Sequence, residues 1–251
     1  MQRNNLAFYD QQAAQWWDEA ATVYPLRRLN PLRFQYFDRY ISTWAGRSVL
    51  DVGCGGGYTC EFLAQRGAMV WGIDQSASCI EAARDHAQAE NLTIAYTQGL
   101  AEQLPFEAEQ FDTVVCVDVL EHVERPRQAI AEISRVLKPG GYFCFDTINR
   151  TWQSRLVMIT LLEDLLREIP RGIHDWRKFL TPEEVQEHMA STGLEAIALN
   201  GFNLFGSSIG EKLGALRHYW RTGEFRVRFD ADTSVMFIGV GQKQIASWER
   251  R

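Results

Sequence analysis

A glycine-rich segment between two apolar stretches carries the clearest chemical signal in this chain. Residues 49–52 run into Gly53-Cys54-Gly55-Gly56-Gly57, and a second apolar stretch ends at Asp74, 21 residues after Gly53. Glycine is needed where the backbone turns with positive φ and a ligand lies against the main chain, because a Cβ would block both. A carboxylate that ends the second strand can accept hydrogen bonds from both ribose hydroxyls. The spacing predicts a nucleoside-binding unit, although dinucleotide-binding proteins use a similar loop.

The acidic residue before the first glycine favours one kind of nucleoside. Asp51 puts a negative charge at the mouth of the predicted loop, where a pyrophosphate would be repelled and a cationic amino-acid group would be held. S-adenosylmethionine has an ammonium and a sulfonium group and no phosphate. We therefore predict that Asp51, Gly53, Gly55 and Asp74 bind this cofactor. The alternative is a structural turn without a ligand.

A mixed polar and apolar segment, residues 98–106, follows the predicted third strand. In a doubly wound sheet this position lies at the carboxyl edge, beside the cofactor crevice. The backbone near Leu100 and Ala101 could offer hydrogen bonds to the adenine ring. An ordinary surface loop is the alternative.

Asp118, Glu121 and His122 follow the predicted fourth strand. If they begin a helical turn, their offsets of three and four place them on neighbouring azimuths facing the crevice. Two carboxylates and an imidazole could bind Mg²⁺. Alternatively, His122 with Glu121 could serve catalysis, the imidazole being a general base for a hydroxyl proton. A structural role for all three is the third possibility, and the residues alone leave these alternatives open.

Composition limits the class of protein. The chain has 251 residues, 46% of them hydrophobic and 23% charged, as expected for a globular domain with a sizeable core. Its 26 basic and 32 acidic residues give a net charge of −6, which argues against nucleic acid as a partner. The five cysteines form no CxxC pair and predict reduced thiols in a cytoplasmic protein. We expect neither a signal peptide nor a membrane span.

The elements that position these residues follow from hydrophobic periodicity. Short apolar strands alternate with amphipathic helices, which predicts a parallel sheet with helices on both faces. Two later apolar segments are expected to add an antiparallel pair. We therefore expect an α/β, Rossmann-like fold with a seven-stranded, mostly parallel sheet, plus N-terminal helices interrupted at Pro25 and Pro31. The predicted strands are 48–52, 69–73, 92–97, 111–117, 142–146, 194–199 and 234–240.

Residues 149–179 have a different pattern. Met158, Leu161, Leu162, Leu165, Leu166 and Ile169 have helical offsets, which predicts one continuous apolar face. Basic residues lie through and around this segment, and an apolar face flanked by cations can lie on an anionic bilayer. Core packing or a lid over the site is the other interpretation, favoured by Glu163, Asp164 and Glu168.

Together these motifs resemble the class I S-adenosylmethionine-dependent methyltransferases, and more narrowly the UbiG-type O-methyltransferases of ubiquinone biosynthesis. The resemblance covers residues 10–190. The matching segments are Trp16-Trp17-Asp18, 25–33, 49–57, Leu120-Glu121-His122-Val123, Leu137-Lys138-Pro139-Gly140-Gly141, Asn149-Arg150 and 172–179.

The resemblance implies cofactor contacts at Arg33, Gly53, Asp74 and Val117. For relatives that use Mg²⁺ it also implies metal ligation at Asp118, Glu121 and His122, with Asp118 standing where those relatives usually have glutamate. The segment matching 149–178 is associated in the family with lipid and hydrophobic substrate. The chain departs from the family after residue 195, where a longer segment replaces the usual ending.

The sequence thus predicts a single methyltransferase domain, with a helical cap (1–45), a cofactor-binding core (46–148), a helical insertion (149–180) and the rest of the sheet (181–251). The expected reaction is methyl transfer to an oxygen of a small hydrophobic phenol or catechol, such as a polyprenyl quinone precursor. The enzyme is expected in the cytoplasm, with peripheral contact to the inner face of the membrane through 149–179. Alternatives are a C- or N-methyltransferase, a nicotinamide oxidoreductase, and a non-catalytic cofactor-binding or membrane-scaffold protein.

Overall fold

The computed structural model describes residues 3–204, 206 and 209–245. Within these residues, eight strands form one sheet in the order β3-β2-β1-β4-β5-β8-β6-β7. The strands are β1 Ser48–Val52, β2 Met69–Asp74, β3 Ile94–Gln98, β4 Phe111–Val117, β5 Leu137–Ile148, β6 Leu194–Asn203, β7 Arg228–Asp230 and β8 Met236–Lys243.

The first five strands are parallel, and the chain reverses direction across the sheet between β1 and β4. Every residue of β1 is buried, and β4 is buried except at Asp112. Strands covered on both faces need continuous apolar runs, which both sequences supply. Ligands of open α/β sheets bind outside the carboxyl ends of the strands at such a reversal. The topology therefore places the glycine loop after β1 beside Asp118, which follows β4.

The far side of the sheet confirms the predicted antiparallel pair and adds one strand. Strand β8 pairs antiparallel with both β5 and β6. The seven-strand prediction was one short, because β7 pairs with residues 201–203 of β6. β7 has only three residues, too few for a periodicity signal.

Helices cover both faces of the sheet. Helix α7, Pro182–Ala190, begins with a capping box: Thr181 Oγ1 accepts from the Glu184 amide at 3.2 Å, and the Thr181 amide donates to Glu184 Oε2 at 2.9 Å. The helices are α1 Ala7–Gln12, α2 Pro25–Phe37, α3 Tyr58–Ala64, α4 Ala77–Ala89, α5 Pro126–Val136, α6 Trp152–Ser154, α7 Pro182–Ala190 and α8 Ile209–Thr222.

Pro31 lies inside helix α2, so the expected break there was wrong. Pro25 does begin the helix, where its missing N–H costs nothing. Pro31 removes one intrahelical hydrogen bond. Buried Phe34 and Phe37 follow it, and their packing into the core holds the helix through the proline.

Helix α6 continues without interruption as a π-helix, Arg155–Leu165. Its wider turn has i→i+5 hydrogen bonds, such as the one from the Leu166 amide to the Leu161 carbonyl. Each residue therefore rotates about the helix axis by less than the roughly 100° of an α-helix. The predicted single apolar face is split: Met158 and Leu162 are buried, whereas Leu165 is 71% exposed.

No helix in the described part of the chain is long and apolar enough to cross a bilayer.

Candidate active site

The glycine loop turns as the spacing predicted. Gly53 and Gly55 have φ of +75° and +51°. A Cβ on Gly53 would lie 2.3 Å from Val119 Cγ2, and one on Gly55 would lie 2.5 Å from Trp16 Cζ2. Both positions therefore require glycine for space as well as for backbone conformation. The indole of Trp16 packs against the loop at Gly55 and Gly56.

Asp74 is tied to the loop through its carboxylate. Oδ2 accepts a hydrogen bond from the Gly55 amide at 2.9 Å, and Oδ1 accepts one from the Ser76 amide at 2.8 Å. Desolvation raises the pKa of Asp74. Each carboxylate oxygen has a further lone pair, so Asp74 keeps acceptor capacity toward a ligand.

Asp51 does not lie at the mouth of the loop, where the sequence predicted it. Its side chain is 1% exposed and accepts a hydrogen bond from Cys60 Sγ at 3.3 Å. Burial raises the pKa of Asp51 to about 7. The residue lies within central strand β1, and its side chain points toward helix α3 beneath the loop. Asp51 is therefore absent from the lining of the cavity, although Gly53, Gly55 and Asp74 belong to it.

A cavity of about 750 Å³ opens over the loop. Its wall includes most of the residues that the sequence singled out, from five separate parts of the chain. This convergence matches the expected position of the crevice at the carboxyl edge of the sheet. The predicted residues in the wall are Arg33, Gly53, Gly55, Asp74, Leu100, Ala101, Val117, Asp118 and His122.

Arg33 is buried at the back of this cavity between two carboxylates. Its Nε donates to Asp146 Oδ2 at 2.5 Å, and its terminal nitrogen pairs with Asp118 Oδ2. The Asp118 amide donates to the other Asp146 oxygen at 2.9 Å. Asp118 itself has φ of +55°, a conformation that aspartate tolerates better than most residues. Asp146 was not among the residues predicted from the sequence, although it lies near the end of an apolar strand as Asp74 does.

Glu121 points away from the cofactor-side cavity. Its side chain is buried and accepts a hydrogen bond from Thr147 Oγ1 at 2.8 Å. Burial, together with the nearby Asp118 carboxylate, raises the pKa of Glu121 to about 8. Its burial and its hydrogen bond to Thr147 make this carboxyl group a poor partner for a cation.

His122 is buried in the cavity wall with its ring held on several sides. Asn4 Oδ1 lies 2.9 Å from Nδ1, and the ring stacks on His174 with centroids 5.3 Å apart. Burial lowers the pKa of His122 well below its usual value, and His174 and Lys178 add to the effect. The imidazole is therefore neutral at pH 7, with a lone pair on one of its ring nitrogens.

The geometry does not support the predicted metal site. No three His, Cys, Asp or Glu side chains among the described residues are grouped so that they could hold a metal ion. Asp118 pairs with Arg33, and Glu121 is bonded to Thr147. These two carboxyl groups are committed to other partners, so they and His122 do not fit an Mg²⁺ ion as arranged here.

A second, apolar cavity of about 160 Å³ adjoins the first. The two share Tyr9, Leu26, Asp118 and His122 in their walls. No sequence pattern indicated this cavity, because its walls come from several distant parts of the chain. Its apolar lining includes Val23, Leu29, Ile148, Met158, Leu162, Ile169, Leu204, Phe225 and Met236.

The doubly wound sheet, the glycine loop, the acid that ends β2 and the adjoining apolar cavity are the arrangement expected of a class I methyltransferase, and the comparisons with known proteins identify this class. Residues 50–145 match the methyltransferase domain family. A ubiquinone biosynthesis O-methyltransferase of Marinobacter nauticus is 40% identical over 79% of this chain and 84% of that protein. The relative from Acinetobacter baylyi with the same name is 37% identical over 91% and 93%. The chain belongs to the ubiquinone biosynthesis O-methyltransferase family.

Solved structures agree in fold. Magnesium protoporphyrin IX methyltransferase from Synechocystis, solved with bound S-adenosylhomocysteine, superposes with a TM-score of 0.64 at 17% identity, covering 96% of each chain. A possible histamine N-methyltransferase from Thermotoga maritima gives 0.65 at 18% identity, covering 95% of this chain and 99% of that one. The predictions of the α/β class and of an S-adenosylmethionine-dependent methyltransferase are confirmed.

Proposed function

We propose that this enzyme transfers the methyl group of S-adenosylmethionine to a hydroxyl oxygen of an aromatic quinone precursor that carries an apolar chain. The observation that carries the proposal is the meeting of two cavities at His122 and Asp118. One cavity has the glycine loop and Asp74, and the other is apolar. The names of the relatives support a ubiquinone precursor as acceptor.

The cofactor is assigned to the larger cavity. Asp74 accepts hydrogen bonds from the ribose hydroxyls, Gly53 and Gly55 let the cofactor approach the backbone, and Leu100 and Ala101 line the adenine position. Val117 packs beside the methionine portion. Arg33 donates to the cofactor carboxylate through terminal N–H groups that its bonds to Asp118 and Asp146 do not use. Asp51 supports the loop from beneath.

His122 is assigned as the general base. A phenol with a pKa of about 10 is mostly protonated at neutral pH, so its oxygen must lose a proton as the carbon–oxygen bond forms. The neutral imidazole takes that proton, and the cofactor's sulfonium supplies an activated methyl group. The remaining work of the protein is in-line alignment and exclusion of water.

The apolar cavity is assigned to the segment of the acceptor's apolar chain that is nearest the acceptor's aromatic ring. Leu162 and Phe225 lie in its wall, and Phe225 stacks on Tyr219 with centroids 4.6 Å apart. Both aromatic residues lie in the segment that departs from the family's usual ending. We infer that this segment sets the preference of the enzyme for the acceptor's apolar chain.

Peripheral contact with the cytoplasmic face of the membrane is part of the proposal. Trp152, Leu156 and Leu165 are 69%, 51% and 71% exposed along helix α6 and its π-helical continuation. This face lies on the same element whose inner face lines the apolar cavity. A helix placed on the bilayer in this way would deliver an apolar acceptor directly to that cavity.

The test is a methyl-transfer assay with purified protein, labelled S-adenosylmethionine and three acceptors: catechol, a catechol with an alkyl chain, and an alkylamine of the same chain length. We expect a product detected by mass spectrometry with the alkylcatechol, and a lower KM for it than for catechol. His122→Gln is expected to lower kcat by about a hundredfold or more. Methylation of the amine alone, or cofactor binding without turnover, would contradict the proposal.

A further inference from the structure

Asn4 forms two hydrogen bonds with the same histidine. Its Nδ2 donates to the His122 carbonyl at 3.1 Å, and its Oδ1 lies 2.9 Å from His122 Nδ1. A backbone carbonyl can only accept, so the amide orientation of Asn4 is determined: the NH₂ group faces the carbonyl and the oxygen faces the ring. An amide oxygen can also only accept. The proton of the neutral ring must therefore be on Nδ1.

We infer that Asn4 is a positioning residue that holds His122 as the Nδ1–H tautomer, with the lone pair of Nε2 directed to the reacting hydroxyl. The inference rests on the proposed function, in which His122 is the base. In the other tautomer Nε2 carries the proton and cannot accept one from the acceptor. Asn4 thereby links the N-terminal segment to the step at which the hydroxyl is deprotonated.

The backbone around Asn4 suits this role. Asn4 has φ of +63°, a left-handed conformation that asparagine tolerates better than most residues. On one side, Arg3 pairs with Glu163 at 3.0 Å and Asp164 at 3.1 Å. On the other, the Asn5 amide donates to the Gly172 carbonyl at 3.0 Å. These bonds anchor the N-terminal segment to the insertion, so the amide of Asn4 is held against the ring.

The insertion holds the opposite side of the same ring. His174 stacks on His122, and its own Nδ1 lies 2.7 Å from Glu163 Oε1. Lys178 Nζ donates to the His122 carbonyl at 3.3 Å. The N-terminal segment and the insertion therefore converge on one imidazole, and Asn4 is the residue that bonds its ring nitrogen.

Two substitutions separate the parts of the Asn4 side chain. Asn4→Gly keeps the left-handed backbone and deletes the amide. Asn4→Asp keeps an acceptor for Nδ1 and loses the donor to the carbonyl. Asn5→Ala is the matched control, because the Asn5 side chain is exposed and its backbone bond is retained.

The direct measurement is long-range ¹H–¹⁵N NMR of the histidine rings, with the His122 signals assigned from His122→Gln. We expect the Nδ1–H tautomer in the wild type, in Asn5→Ala and in Asn4→Asp, and a mixture in Asn4→Gly. In the methyl-transfer assay, Asn4→Gly should lower kcat about fivefold to tenfold, as for the loss of one hydrogen bond, with the KM for S-adenosylmethionine unchanged. Asn4→Asp should recover most of that loss.

Three outcomes would count against the inference or the function on which it rests. If Asn4→Gly keeps both the tautomer and kcat while His122→Gln is inactive, Asn4 does not position the base, and the proposed function stands. If the tautomer changes and kcat does not, the positioning role is also wrong. If His122→Gln retains full activity, the assignment of the base itself falls. Should Asn4→Gly fail to fold, the tautomer and kcat of Asn4→Ser, which lacks the amide, decide in its place.

Discussion

Arg33 and Asp118 form an ion pair at the point where the two cavities of this enzyme meet. The guanidinium is almost fully buried and also pairs with Asp146. Asp118, which the sequence suggested as a metal ligand, is thus paired with a cation of the protein itself. Separating the two would leave part of a buried charge unpaired, which is costly.

Because of this ion pair, calorimetric titration of the substrate-free protein with Mg²⁺ should show no saturable binding. Arg33→Met removes the cation that pairs with Asp118, and the same titration of this variant is the comparison for the wild type. Saturable binding by the wild type that disappears in Asp118→Asn would show that the ion pair opens for a metal.

Asp74→Ala should weaken S-adenosylmethionine binding by about 1–3 kcal/mol, because hydrogen bonds to the ribose are lost. Asp74→Asn keeps an acceptor for the Gly55 amide and should weaken binding less. Asp85→Ala changes an exposed acid on helix α4 and serves as the control. Calorimetric affinities that are equal for all four proteins would remove Asp74 from the cofactor site.

Leu162→Trp should fill the apolar cavity, since Leu162 is 7% exposed and lies in its wall. We expect the KM for an alkylcatechol to rise about tenfold, while turnover of unsubstituted catechol changes little; the loss corresponds to about two buried CH₂ groups. Leu161→Trp, at the neighbouring 36% exposed position, is the matched control. Equal effects of both substitutions on both acceptors would place the apolar chain elsewhere.

Asp51→Asn should alter how stability depends on pH. The pKa of Asp51 is raised to about 7 in the folded protein by burial, from 3.8 in the unfolded chain. The folded state thus binds more protons between these values, and this group makes the protein less stable as pH rises from 4 to 7. In urea unfolding, the free energy of unfolding of Asp51→Asn relative to that of the wild type should rise by about 2–4 kcal/mol between pH 5 and pH 8. A constant difference would mean that Asp51 stays ionised.

Membrane contact through the exposed face of the π-helix can be tested by vesicle flotation. The double substitution Leu156→Glu with Leu165→Glu should reduce association with anionic phospholipid vesicles, because it places two charges on the contacting face. Ile197→Glu, which changes a 43% exposed residue on strand β6, should leave association unchanged. Flotation that is insensitive to the double substitution would place the contact on another surface.

Local patterns in the sequence determined the sheet core, the glycine loop, Asp74 and the family. These depend on short-range rules: apolar runs form buried strands, and glycine is required where the backbone turns with positive φ. The structure decided what depends on distant residues meeting. Asp51 is buried, and Arg33 forms an ion pair with Asp118. Helix α6 continues as a π-helix in which Leu165 lies at the surface. The bond from Asn4 to His122 spans 118 positions, and no local pattern encodes it.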